Sequence, residues 1–73
     1  MEDELNDRNE RLNFFLENQI KVHIDLNDGS FLNGFIIKNS NNNKNVWWIM
    51  EDKLGEVILF SKDIVVLQQW RGK

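Results

Sequence analysis

The chain has 73 residues, a net charge of −3, no cysteine and no proline. That length is one domain whose core alone gives roughly 3 to 5 kcal/mol, and the lack of cysteine excludes disulfides and thiolate metal sites. Five acids (Glu2, Asp3, Glu4, Asp7 and Glu10) crowd the first ten residues while the basic residues are scattered, which argues against a basic face gripping duplex phosphates.

Residues 1–4 read as an acidic tail, and a helix is expected from Leu5 to about Glu17. Leu5, Leu12, Phe15 and Leu16 fall near one stripe, with Arg8, Arg11 and Glu17 outside it. Asn6 or Asp3 suits the N-cap, and the acids suit the positive end of the helix dipole. The pair Phe14-Phe15 is expected to pack on a sheet.

Strands follow at about 19–27, 30–38, 46–51, 56–61 and 64–69, and residues 71–73 form a C-terminal tail. Ile20, Val22, Ile24 and Leu26 alternate with Lys21, His23, Asp25 and Asn27, which is the period of a half-buried strand. Asn27-Asp28-Gly29 tolerates positive φ and closes a hairpin. On the return, Leu32, Gly34 and Ile36 keep the core phase. Phe31, Phe35 and Ile37 take the other face and need partial cover from the helix or a neighbour.

The run from Asn39 to Asn45 is a polar loop whose asparagines favour turns. Sequence drift in a tolerant surface loop accounts for most of it, and a functional role is expected only at its end, Asn45. The last two strands, EVILF and IVVLQ, are almost continuous apolar runs, implying burial on both faces, or on one face plus an edge. An exposed apolar edge templates pairing with another chain. A small core, no covalent staple and apolar edges together predict a homo-oligomer, with closure into a ring removing the free edges.

The helix, the five short strands and the order Val22-His23-Ile24-Asp25-Leu26-Asn27-Asp28-Gly29, then Leu32, Gly34 and Ile36, resemble the Sm-like (LSm) family and its first sequence motif. Within that family the chain is most similar to the bacterial Hfq branch of RNA chaperones. Leu12-Asn13 and the segment Phe60-Ser61-Lys62-Asp63-Ile64 carry that closer likeness, which covers about residues 8 to 68. The fold class so implied is mainly β: an N-terminal helix and a strongly bent five-stranded antiparallel barrel, assembling into a ring, hexameric if Hfq-like.

The resemblance further implies single-stranded, uridine-rich RNA bound around the pore on the helix-bearing face. Trp47 corresponds to the family's stacking aromatic and Lys62 to its basic residue in the last turn. Ser61 stands beside Lys62 where the family has a paired lysine and histidine, and Arg8 replaces a helix glutamine that helps to hold uracil. The loop before Trp47 is longer than in Hfq, so Asn45 is an alternative base-reading amide, and either register keeps Asn45 to Trp48 near the pore. For the adjacent rings Trp47 and Trp48, the other assignment is one ring in the core and one at a subunit contact. On the opposite face Asp25 and His23 replace an aromatic platform, and Leu16, Glu17 and Gln19 replace a basic rim with only Asn13 kept, so adenine-face binding and strong annealing are not expected.

Catalysis is not expected. His23 has Asp25 as its near partner at strand spacing, and Ser30, Ser40 and Ser61 lack the context of an activated nucleophile. No metal-ligand spacing, phosphate loop or cofactor motif is present, and no small-molecule substrate is implied. With no basic-plus-apolar leader pattern and no apolar run near roughly 18 residues, a soluble cytoplasmic protein is expected. Two other readings stay open: a structural adaptor of the same fold whose acidic helix face binds proteins, and an unrelated monomeric small barrel.

Overall fold

The computed structural model describes residues 2–72, with side chains from residue 5 onward. Helix α1 (Glu2–Asn18) leads into β1 (Lys21–Leu26), β2 (Phe31–Asn39), β3 (Val46–Glu51), β4 (Gly55–Phe60), a 3-10 turn (Ser61–Asp63) and β5 (Ile64–Gln69). The strands form one antiparallel sheet in the order β4-β3-β2-β1-β5. The protein is therefore mainly β, an N-terminal helix followed by five antiparallel strands, as expected. This architecture is compatible with a bent Sm-like barrel.

The helix starts earlier than expected. Residues 2–4 are its first turn rather than a tail, and Asp3 and Asn6, the expected caps, both lie inside it. Acids at a helix N-terminus are stabilised by the dipole, so an acidic run extends the helix as readily as it precedes one. Met1 and Lys73, the outer ends of the two expected tails, lie outside the described residues. At the other end Gln19 takes a left-handed φ of 54°, and the amides of Gln19 and Ile20 donate back to the carbonyls of Leu16 and Phe15. That pair of hydrogen bonds closes the helix and turns the chain into β1.

Alternation places the core. Val22, Ile24, Leu32, Ile36, Trp47, Ile49, Leu59, Ile64 and Leu67 point inward from the five strands, and Leu12 and Phe15 of α1 complete the cluster. Phe14 does not join it. Next to Phe15 on the helix it turns outward and is 55 % exposed, correcting the expectation that both rings pack on the sheet. Phe31, Phe35 and Ile37 lie on the outer face and remain exposed in the single chain, with Leu16 and Gln19 at the helix end beside Phe35 and Ile37.

The sheet bends where the backbone permits close approach. Gly34 sits between Val22 of β1 and Glu51 of β3, and an added Cβ would lie 2.0 Å from the Met50 carbonyl oxygen. Register shifts after Ile36 in β2 and at Asp25/Leu26 in β1 add local twist. In the hairpin, Asp28 accepts hydrogen bonds from the Ser30 hydroxyl at 2.6 Å and the Ser30 amide at 2.9 Å, which hold its carboxyl below the usual range.

The β3–β4 turn is organised by a carboxylate that sequence alternation left unremarked. Glu51 points inward at the end of β3 and is buried. Its Oε1 accepts from the amides of Leu54 at 2.9 Å and Lys53 at 2.8 Å, and its Oε2 from Asn33 of β2 at 3.1 Å. These donors, Leu54 first, lower its pKa. A group with a depressed folded pKa gives stability that is present above its unfolded pKa and lost as pH falls through the folded one. Melting temperatures measured from about pH 6 to about pH 3, across the ordinary glutamate range, should therefore fall more steeply for the wild type than for Glu51→Gln, with the curves converging in acid. Parallel curves would remove Glu51 from this role.

Candidate nucleic-acid interface

One end of the molecule gathers the first half of α1, the start of β3, the end of β4 and the 3-10 turn. Sheet register brings them together: Val46 pairs with Phe60 and Trp47 with Leu59, so Asn45 stands beside Ser61. The Ser61 amide donates to the Asn45 carbonyl at 2.9 Å and its hydroxyl to the same oxygen at 3.3 Å. From the helix, Arg8 donates through a guanidinium nitrogen to the Ser61 carbonyl at 3.0 Å. Asn9 donates its Nδ2 to Asn45 Oδ1 at 2.7 Å and accepts the Trp47 indole N–H at 3.1 Å.

The loop leading into this end is built rather than merely tolerated. Asn39 donates its side-chain amide to the carbonyls of Lys44 and Val46, Asn43 Oδ1 accepts the Asn45 amide, and the Ser40 hydroxyl accepts from the amides of Asn42 and Asn43. Short polar side chains bonding to nearby backbone are the reason asparagine and serine suit such turns. Asn43 thus holds Asn45 directly, and Asn39 holds its neighbours Lys44 and Val46.

A cleft of about 500 Å³ opens beside this network, lined by Asn45, Val46, Phe60, Lys62, Asp63 and their neighbours Leu5 and Asn43. Phe60 is 39 % exposed, and Lys62 is exposed on the turn that follows it. The lining therefore combines an aromatic face, an amide, an ammonium and a carboxylate. Such a set suits a flat heteroaromatic with polar edges and an attached anion.

The expected site residues divide into three groups. Asn45 and Lys62 line the cleft. Trp47, Ser61 and Arg8 are its rear support: Trp47 is 2 % exposed and Ser61 is fully buried, while the Arg8 guanidinium is bonded to the turn. Trp47 thus has no free ring face for a base, and the expected stacking role is corrected to a core role. Its inward phase in β3 and the bond from its indole to Asn9 are the physical reasons. Trp48 lies on the outer face of the sheet, opposite Ile58 of β4 and with Lys38 Nζ 5.0 Å from its ring centroid, away from the cleft. The assignment of one tryptophan ring to the core is the one the structure shows.

Phe60 is a cleft-lining aromatic that the sequence did not single out. It belongs to an apolar run, Val57–Phe60, with no period-two signal to say which side chain turns out. Only the pairing of Val46 with Phe60 fixes its side.

The sheet has two edges, β4 and β5. Their outward side chains include Ile58, Phe60 and Val65, the last 61 % exposed. Of the two alternatives that the apolar runs leave open, the single chain has the second: one buried face, carrying Leu59, Ile64 and Leu67, on strands at the sheet edges. Among the described residues no helix is long and apolar enough to cross a membrane, and no group of three or more acidic, histidine or cysteine side chains is placed to hold a metal ion. His23 lies on the outer face, its Nδ1 2.6 Å from Asn33 Oδ1 and its Nε2 2.9 Å from Asp25 Oδ1.

No family model matches the chain, and no curated protein matches it.

Proposed function

We propose that the protein is a cytoplasmic, homo-oligomeric RNA-binding ring of Sm-like type, hexameric by its likeness to Hfq, in which each subunit presents the Asn45–Phe60–Lys62 cleft to single-stranded, uridine-rich RNA. The observation that carries this reading is the convergence of an exposed aromatic, an amide and an ammonium from three separate elements on one cleft. Phe60 stacks on a base, Asn45 bonds its edge, and Lys62 meets a phosphate. Stacking on an aromatic is worth roughly 1 to 3 kcal/mol per base. Repetition around a ring turns such weak sites into useful affinity.

The two unpaired apolar edges support the ring. Pairing β4 of one subunit with β5 of the next would satisfy the backbone groups and cover Ile58 and Val65. Asp63 in the cleft and the net charge of −3 limit the electrostatic share, so low salt dependence is expected for a nucleic-acid binder.

The test is fluorescence anisotropy with labelled hexauridine at low salt. The expected result is saturable binding that weakens about tenfold or more in Phe60→Ala, with Phe31→Ala, which trims an exposed outer-face aromatic that does not line the cleft, unchanged. No saturable binding at micromolar protein, or equal affinity for wild type and Phe60→Ala, would refute the cleft.

A further inference from the structure

We infer that the hydrogen-bonding polarity of the cleft is set from the core: the Trp47 indole N–H, acting through Asn9, fixes Asn45 with its amide N–H groups outward, and this selects uracil over cytosine. The inference rests on the reading of the cleft as a base site and adds the residues that decide which base it takes.

The chain of reasoning runs through donors that cannot reverse. An indole N–H only donates. Trp47 Nε1 is 3.1 Å from Asn9 Oδ1, so that atom is the acceptor end of the Asn9 amide. Asn9 then turns its Nδ2 to Asn45, 2.7 Å from Oδ1. A donor on that side makes the facing Asn45 atom the oxygen, and the Ser61 hydroxyl, 3.4 Å away, faces the same oxygen. The Asn45 backbone is occupied too, its N–H on Asn43 and its carbonyl on Ser61.

What remains is the Asn45 Nδ2. It makes no hydrogen bond among the described residues, and none of their buried side-chain polar atoms lacks a partner, so this nitrogen lies at accessible surface. Asn45 lines the cleft with Phe60 and Lys62. Lys62 meets the phosphate, so the donor that the cleft offers to a base edge is the Asn45 amide. Toward a donor, uracil presents the O4 carbonyl where cytosine presents an amino group. A buried or half-buried donor facing a second donor forfeits its hydrogen bond, which costs about tenfold in affinity.

Trp47 and Asn9 are accordingly positioning residues. Asn9→Asp tests them with almost no change in shape. A carboxylate at position 9 still accepts the indole N–H but cannot donate, so Asn45 turns its amide over, bonding through Nδ2 and presenting Oδ1 to the cleft. The added negative charge weakens every RNA alike and cancels in a ratio. Wild-type protein should prefer hexauridine to hexacytidine by about tenfold, and Asn9→Asp should lose or reverse that preference while melting cooperatively. A second readout needs no RNA: by NMR, the Asn45 side-chain amide should exchange rapidly with solvent in the wild type and slowly in Asn9→Asp.

Binding of neither oligonucleotide by the wild type would overturn the cleft reading itself. Equal binding of the two, or an Asn9→Asp protein that folds and keeps the wild-type ratio, would overturn the selector alone. Slow exchange of the Asn45 side-chain amide in the wild type would overturn the polarity assignment irrespective of RNA.

Discussion

Gly34→Ala should abolish the fold. The new methyl carbon would lie 2.0 Å from the Met50 carbonyl oxygen, 2.8 Å from its carbon and 2.9 Å from Glu51 Cα, all backbone atoms of β3. No side chain can swing away to make room, so β2 and β3 must part. Parting them breaks the ladder that holds Ile36 against Ile49 and, beyond it, the strand that carries Trp47. Overpacking costs about 1 to 3 kcal/mol where side chains can yield, and a backbone clash lies at or above the top of that range. A domain of this size has roughly 3 to 5 kcal/mol in its core. The expected result is loss of the cooperative melt and of the β signal in far-UV circular dichroism at 25 °C. A Gly34→Ala protein melting within about 2 °C of the wild type, where 1 kcal/mol shifts the midpoint by about 4–8 °C, would show that β2 and β3 do not approach this closely.

Trp47→Ala should be nearly as damaging, and for a reason that separates core from surface. The side chain is among the largest that are fully buried and contacts the shared cluster of helix and sheet. Truncating a buried tryptophan costs about 3 to 5 kcal/mol, and here it also leaves Asn9 Oδ1 without its donor. Urea denaturation should find the variant largely unfolded in water. Trp47→Phe keeps much of the volume and should fold with reduced stability. Had Trp47 been a stacking platform, Trp47→Ala would melt like the wild type and lose only RNA. That outcome would contradict its placement.

The first hairpin was the most legible part of the molecule. Alternation through Val22, Ile24 and Leu26, the Asn-Asp-Gly turn and the return through Leu32 and Ile36 describe one buried face, and a one-residue slip would have put polar side chains in the core. Gly34 belongs to the same pattern, although its close approach to Met50 needs the neighbouring strand to be seen. The helix was legible as an element but not at its start, because acids serve equally as a preceding tail and as a first turn.

The third and fourth strands were harder for a specific reason. Val46–Met50 and Val57–Phe60 are apolar on both faces, so period-two patterning does not say which ring of Trp47 and Trp48 turns inward, nor that Phe60 faces out. Of the expected site residues, Asn45 and Lys62 line the cleft, Trp47 is in the core, and the aromatic that lines the cleft, Phe60, is one that patterning did not single out. Glu51 shows the converse: a carboxylate at an inward position reads as an error of phase until the three amides it accepts are in view.

Native mass spectrometry of the full chain with hexauridine tests the central proposal most directly, since it weighs assembly and RNA in one spectrum. The ring reading predicts a closed oligomer whose mass is a whole multiple of the 8.7 kDa chain, six-fold if Hfq-like, with a shifted species that carries RNA. A spectrum holding only the 8.7 kDa monomer, without an RNA-bound species, would contradict both the ring and the cleft.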